Sequence, residues 1–172
     1  MDTKPSSTSS ASTHRLEVGQ TVPNFQGVTT SQQSFSLDQY AGKNIVLYFY
    51  PKDLTPGCTT ESLDFKKFHP EFLEHNTVIF GISRDDLPLH EKFKSTHCLP
   101  FELISDESET LCKLFDVIHP KNMYGREVIG IERSTFLINT QGILQKEWRK
   151  VKVTDHAQLV LDAVKAINTQ SA

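Results

Sequence analysis

The chain is short of the features that announce a protein class at once. Only three of its 172 residues are cysteine, at positions 58, 98 and 112, and no two are spaced Cys-x-x-Cys. That excludes a disulfide-stapled secreted scaffold and a thiolate zinc cluster, and it fits a reducing cytoplasm. No apolar run approaches the roughly 20 residues of a membrane span. Neither sign of charge dominates: 18 Lys and Arg stand against 21 Asp and Glu, a net charge of -3. There is then no electrostatic reason to expect a nucleic-acid or anionic-membrane partner. The seven histidines are scattered, and His97 beside Cys98 reads as a helix end, so no metal is expected. Residues 1–14 are rich in Ser and Thr with neither an apolar centre nor an arginine. They are expected to be a disordered tail, not a targeting segment, ahead of one domain over residues 15–172.

What is present is an ordinary globular composition, 37% hydrophobic and 23% charged, organised around one stretch. Ile45, Val46 and Leu47 run into Tyr48-Phe49-Tyr50, an apolar and aromatic run that predicts a buried strand. Pro51, Pro56 and Gly57 then turn the chain, and beyond Cys58 the residues Phe65, Phe68 and Phe72 recur at helical spacing. Cys58 is thereby predicted to stand where a strand has ended and a helix begins. The first turn of a helix presents unpaired N–H groups and the positive end of the macrodipole, and both favour a thiolate over a thiol. Thr55 can turn its hydroxyl into the same space, and the two prolines stiffen the wall around the sulfur.

Along the rest of the chain, a short hairpin is expected over residues 25–36. Strands are expected over 45–50, 77–83, 101–105, 134–138 and 143–148, with helices over 88–97 and 109–115 and from about 155 to the end. Pro70 predicts a break in the helix after Cys58, near residues 68–69, and a short second helix over 70–74. Residues 119–130 are expected to form a loop. Strands alternating with helices predict a mixed sheet covered on both faces.

The pattern Pro51-x-x-x-Thr55-x-x-Cys58 resembles the active-site signature of the peroxiredoxins, and the string YFYPKDLTPGCTTE is similar to their bacterioferritin comigratory protein, or peroxiredoxin Q, branch. The resemblance covers roughly residues 18–164. It implies a thioredoxin-like α/β fold with an N-terminal β-hairpin extension. It implies a monomeric, antioxidant thiol peroxidase that reduces hydrogen peroxide or organic hydroperoxides through a sulfenic acid at Cys58, without a cofactor. Thioredoxin, glutaredoxin or a low-molecular-weight thiol would be the reductant. Lowering a thiol pKa from about 8.5 to about 6 supplies only about 2 kcal/mol at pH 7, so donors aimed at the breaking O–O bond are also required. Backbone N–H groups at Gly57 or Cys58 and the Thr55 hydroxyl can serve. The segment Ile131-Glu132-Arg133-Ser134-Thr135 resembles the one that carries the family's active-site arginine, which makes Arg133 the candidate cation. Glu61 stands where the family commonly has a carboxylate or amide that orients this arginine. Arg126 and Tyr50 are weaker candidates, expected to serve structure.

The chain departs from the pattern at the second cysteine. Members of the branch carry a resolving cysteine five residues after the first or in the following helix, and those positions are Leu63 and Lys94 here. Cys98, one turn beyond Lys94, is the remaining candidate, and Cys112 beside Leu111, Leu114 and Phe115 reads as a packed thiol. A one-cysteine mechanism is therefore expected. Two other readings compete. A thioredoxin-type oxidoreductase would need a second cysteine where Glu61 stands, whereas a peroxide sensor of the same fold would share the first chemical step.

Overall fold

The computed structural model describes residues 16–123 and 125–170; the tail expected over residues 1–14 lies outside them. The six residues Asn44–Phe49 are all buried, which places their strand at the centre of a sheet covered on two faces. In chain order the elements are β1 (Gln26–Thr29), β2 (Gln33–Ser36), β3 (Asn44–Phe49), α1 (Pro56–Glu74), β4 (Thr77–Ser83), α2 (Leu87–His97) and β5 (Leu103–Ser105). They continue with α3 (Thr110–Leu114), β6 (Ile118–Met123), β7 (Arg126–Ile131), β8 (Ser134–Ile138), β9 (Leu144–Arg149) and α4 (His156–Gln170).

Seven strands form one sheet in the order β2-β1-β5-β4-β3-β8-β9. The β3/β4 and β4/β5 pairs are parallel, and the remaining pairs are antiparallel. This is the mixed sheet of a thioredoxin-like fold, with the N-terminal hairpin added on the β5 edge. The period-2 alternation of β3 assigns its side chains to two cores. Ile45, Leu47 and Phe49 join Phe80, Phe136 and Phe115 on one face. Val46, Tyr48 and Tyr50 meet Phe65 and Phe72 of α1, Phe93 of α2 and Val160 and Val164 of α4 on the other. Gly81 of β4 lies opposite Tyr48, and a Cβ there would come within 2.7 Å of the Tyr48 ring. The absent side chain is what lets the ring lie flat under α1.

Three expectations are corrected. The helix after Cys58 is unbroken, because Pro70 forfeits a single backbone bond on an exposed position while Phe65 and Phe72, on either side of it, are both fully buried. Packing of that face outweighs the proline. The same helix begins at Pro56, so Cys58 is its third residue and not its first. Residues 119–130 are not a loop: β6 and β7 form a separate antiparallel hairpin. Its β7 residues from Arg126 to Ile129 are all exposed, so no one-sided alternation marks it in the sequence, and Pro120 argues against a strand. Among the described residues no helix is long and apolar enough to cross a membrane.

Candidate active site

The chain leaves the centre of the sheet at Phe49 and turns through residues 50–55 into α1. Thr55 takes the N-cap position with extended backbone, φ -92° and ψ 154°, and Pro56 follows at the first helical position, where a missing N–H costs nothing. The Thr55 carbonyl accepts from the Thr59 N–H at 2.9 Å, and its hydroxyl donates to the Lys52 carbonyl at 2.8 Å, leaving the oxygen lone pairs to accept. Pro51 is half-buried in the same turn. The Cys58 thiol is 1% exposed and packs in the cluster that holds Tyr48, Tyr50 and Phe65. No acidic residue occupies the first turn of α1, so no side-chain carboxylate there competes with the sulfur for the helix dipole.

Arg133 reaches this sulfur from the far side of β3. It sits just before β8, the antiparallel neighbour of β3, and its carbonyl is held by the Val151 N–H at 3.0 Å. Nη2 donates to Cys58 Sγ at 3.3 Å and Nη1 donates to Glu61 Oε1 at 2.6 Å. One planar guanidinium thus spans the sulfur and the carboxylate, a bridge that a lysine ammonium would not reproduce. A Cβ on Gly57 would lie 3.4 Å from Nη2, which places this residue directly beside the guanidinium. The structure therefore brings Cys58, Arg133, Glu61 and Gly57 together, with Thr55 and Pro51 at the helix entry. Arg126 lies exposed on β7, and the Tyr50 hydroxyl donates to Asp53 Oδ1 at 2.5 Å.

Glu61 is 1% exposed and its Oε2 is buried with no partner. Burial pushes its carboxyl up to about 7 against the opposing pull of Arg133. For Arg133 burial works against the charge, but Glu61 and Cys58 outweigh it and hold the guanidinium above its usual range. Behind this pair, His156 Nε2 lies 2.8 Å from the Thr135 hydroxyl. Burial, with a smaller push from Arg133, brings its imidazole down to about 4.

These two shifts have opposite signs in stability. Unfolded, Glu61 ionises near 4.5, whereas folded it keeps its proton to about 7; unfolding releases a proton in that window, and the contribution is lost as the pH rises through it. His156 titrates near 6.5 unfolded and near 4 folded, so its contribution is lost as the pH falls. Denaturant unfolding of Glu61→Gln between pH 4.5 and 7 is expected to show stability rising with pH, because only His156 remains of the two. The advantage of wild type over the variant should shrink by about 3 kcal/mol across the same range. A constant difference would exclude a protonated carboxyl beside Arg133.

The other cysteines stand apart. Cys98 caps α2 in the left-handed region with φ 51°, is exposed, and donates weakly to the Ser95 carbonyl. The Lys66 ammonium holds the neighbouring His97 carbonyl at 2.9 Å, and Lys66 is eight residues, about 12 Å, along α1 from Cys58. Lys94 pairs with Glu102 at 3.3 Å, tying α2 to the start of β5, and Leu63 is exposed on α1. Cys112 is fully buried, and burial followed by Asp106 pushes its thiol up.

Sequence reasoning missed the polar residues beneath the loop: Asp53, Asp85 and His90. Asp53 lies inside the motif, but its burial within a turn of exposed and half-buried residues is seen only in the structure. His90 carries no signal, since its role depends on how α2 docks.

A buried helix-entry cysteine bonded to a guanidinium, on a thioredoxin-like sheet, defines a cysteine-based thiol enzyme. The AhpC/TSA family matches residues 18–147. Peroxiredoxin Bcp of Bacillus subtilis is 49% identical over 150 residues, covering 87% of this chain and 96% of the relative. Peroxiredoxin Bcp of Xanthomonas campestris is 53% identical over 131 residues, covering 76% and 82%. Among solved structures, peroxiredoxin Q of Xanthomonas campestris superposes with a TM-score of 0.82 at 47% identity, over 89% of this chain and 97% of that one. A Xylella fastidiosa peroxiredoxin Q cysteine variant gives 0.85 at 41% identity, over 90% and 98%. The chain belongs to the AhpC/TSA family and, within it, to the peroxiredoxins of the Bcp/Q branch, which are thiol peroxidases.

Proposed function

We propose that this protein reduces hydrogen peroxide and organic hydroperoxides at Cys58 by a one-cysteine cycle and takes its electrons from an external thiol. The contact of Arg133 Nη2 with the sulfur, at 3.3 Å, carries this reading. The Cys58 thiolate attacks the terminal peroxide oxygen; an S–O bond forms, the O–O bond breaks, and the leaving oxygen takes a proton to depart as water or alcohol. Cys58 is left as a sulfenic acid. Arg133 is placed to stabilise the charge that develops on the breaking bond, together with the N–H groups of the first helical turn. The Thr55 oxygen is free to accept the proton of the incoming hydroperoxide, Pro51 shapes the turn, and Glu61 orients the guanidinium. Two equivalents of external thiol then restore Cys58, releasing water and a disulfide. Thioredoxin, glutaredoxin and a low-molecular-weight thiol are the candidate donors. We further propose that the protein acts as a monomer, and in the reducing cytoplasm, a location that its scarcity of cysteine supports.

One equivalent of peroxide is expected to leave a sulfenic acid on Cys58, trapped by dimedone and seen by intact-mass spectrometry. Cys98→Ser should turn over as wild type. A disulfide demands Cα atoms within about 7 Å, and the reading is supported by the placement of Cys58 in the first turn of α1 and Cys98 at the C-terminal cap of α2. An internal Cys58–Cys98 bridge in the mass spectrum would overturn the one-cysteine cycle. Consumption of many equivalents of peroxide with one of the three donors supports a peroxidase, whereas arrest after one equivalent would favour a sensor.

A further inference from the structure

Beneath the loop that delivers Cys58 lies a buried polar group that the chemistry above does not use. Within residues 51–55 only Asp53 is buried, at 2% exposure. Each of its polar side-chain atoms and its N–H is engaged. Oδ1 accepts from the Tyr50 hydroxyl, Oδ2 faces His90 Nδ1 at 2.5 Å, and the N–H donates to Asp85 Oδ2 at 2.7 Å. Asp85 in turn accepts from the Ser83 hydroxyl at 2.7 Å, and its carbonyl accepts from the Ser105 hydroxyl at 2.6 Å. The turn is thereby pinned to the ends of β3, β4 and β5.

His90 comes to this group from another element. It lies in α2 with no exposure, and its Nε2 is 3.0 Å from the Ile104 carbonyl. A carbonyl only accepts, so Nε2 carries a hydrogen. The Nδ1–Oδ2 contact then holds one further proton, between a ring nitrogen and a carboxylate that have no solvent to turn to. Asp53, Asp85 and His90 also have the donor types of a cation site, with ligand atoms within 4.8 Å of one another. Those atoms are already closed on each other and on Ser83, which favours hydrogen bonding over coordination.

Resting on the peroxidase reading above, we propose that His90 is a positioning residue for peroxide reduction: through Asp53 it fixes the turn that sets Thr55 and the first turn of α1 against Cys58 and Arg133. Asp53 is two residues from the Thr55 cap, so a shift of its carboxylate moves the hydroxyl and the N–H groups that meet the peroxide. Misplacement of such groups by about 1 Å costs on the order of a hundredfold in rate.

The two ring nitrogens can be separated by substitution. Asparagine places an amide nitrogen near Nδ1, keeping the Asp53 contact and losing Ile104; glutamine places it near Nε2, keeping Ile104 and losing Asp53. His90→Asn is expected to hold the second-order rate constant for peroxide within about threefold of wild type, while His90→Gln loses at least about tenfold. Both lose one buried bond, so a purely structural histidine would give equal rates, and equal rates or the reverse order would overturn the proposal. Tyr50→Phe removes only the hydroxyl on the other Asp53 oxygen and decides the matter should neither His90 variant fold. A rate loss of about threefold or more with little change in melting temperature supports the anchor, and an unchanged rate overturns it. Absence of peroxide turnover in wild type would instead sink the peroxidase reading on which all of this rests.

Discussion

Cys58→Ser is expected to reduce peroxide consumption to the uncatalysed background with every thiol donor, while the protein remains folded. Serine preserves the shape of a side chain that is 1% exposed, and its oxygen can still accept from Arg133. The chemistry does not survive, because an alcohol neither ionises near neutral pH nor passes through a sulfenic state. The loss should exceed about ten-thousandfold, as for removal of a nucleophile from other covalent enzymes. Peroxide disappearance with an unchanged thermal melt is the measurement. Residual turnover in the folded variant would place the chemistry at Cys98 or Cys112 and end the assignment.

Arg133→Ala is expected to lower the rate constant for peroxide by about a hundred- to a thousandfold, the effect of removing a single preorganised donor from developing charge. The side chain donates both to Cys58 and to Glu61, so its loss also strips a buried carboxyl of its ionic partner. Breaking a buried pair ordinarily costs about 3–5 kcal/mol. Here the cost should be smaller below pH 7, because burial already pushes Glu61 up to about 7 and lets it stay neutral. The variant should accordingly fold, and stopped-flow oxidation of Cys58 will isolate the chemical step. Arg133→Lys should recover part of the rate and not all of it, since an ammonium does not span sulfur and carboxylate in one plane. Wild-type rates in the alanine variant would remove the cation from the mechanism and leave the helix N-terminus to act alone.

The two results would distinguish the parts played by the sulfur and its setting. One removes the atom that is oxidised, the other only the field around it. Leu63 and Lys94 stand where the branch carries its resolving cysteine, so in the one-cysteine cycle proposed above the sulfenic acid persists until an external thiol arrives. The Lys94–Glu102 pair and the Lys66–His97 contact both fasten α2 down.

How much of this is written in local sequence follows from the range of each interaction. The buried strand Asn44–Phe49, the turn and the cysteine at a helix start rest on neighbours within a few residues, and apolar runs, prolines and spacing report such neighbours directly. Pro70 misleads for the opposite reason: the lost bond is local, while the compensation from Phe65 and Phe72 comes from the sheet and α4. The β6/β7 hairpin escapes notice because its exposed residues show no buried face to alternate against.

The sequence by itself determined the chemistry on offer, a lone cysteine after Pro51 and Thr55 at a helix entry, and it named Arg133 through resemblance to a family. Only the tertiary structure decided that the guanidinium, 75 positions away, meets the sulfur at 3.3 Å, and that His90 of α2 closes on Asp53 beneath the loop. Side-chain groups so far apart along the chain are juxtaposed by strand order and helix docking. Those are set by the burial of many apolar residues at once, and no short stretch of sequence contains that information.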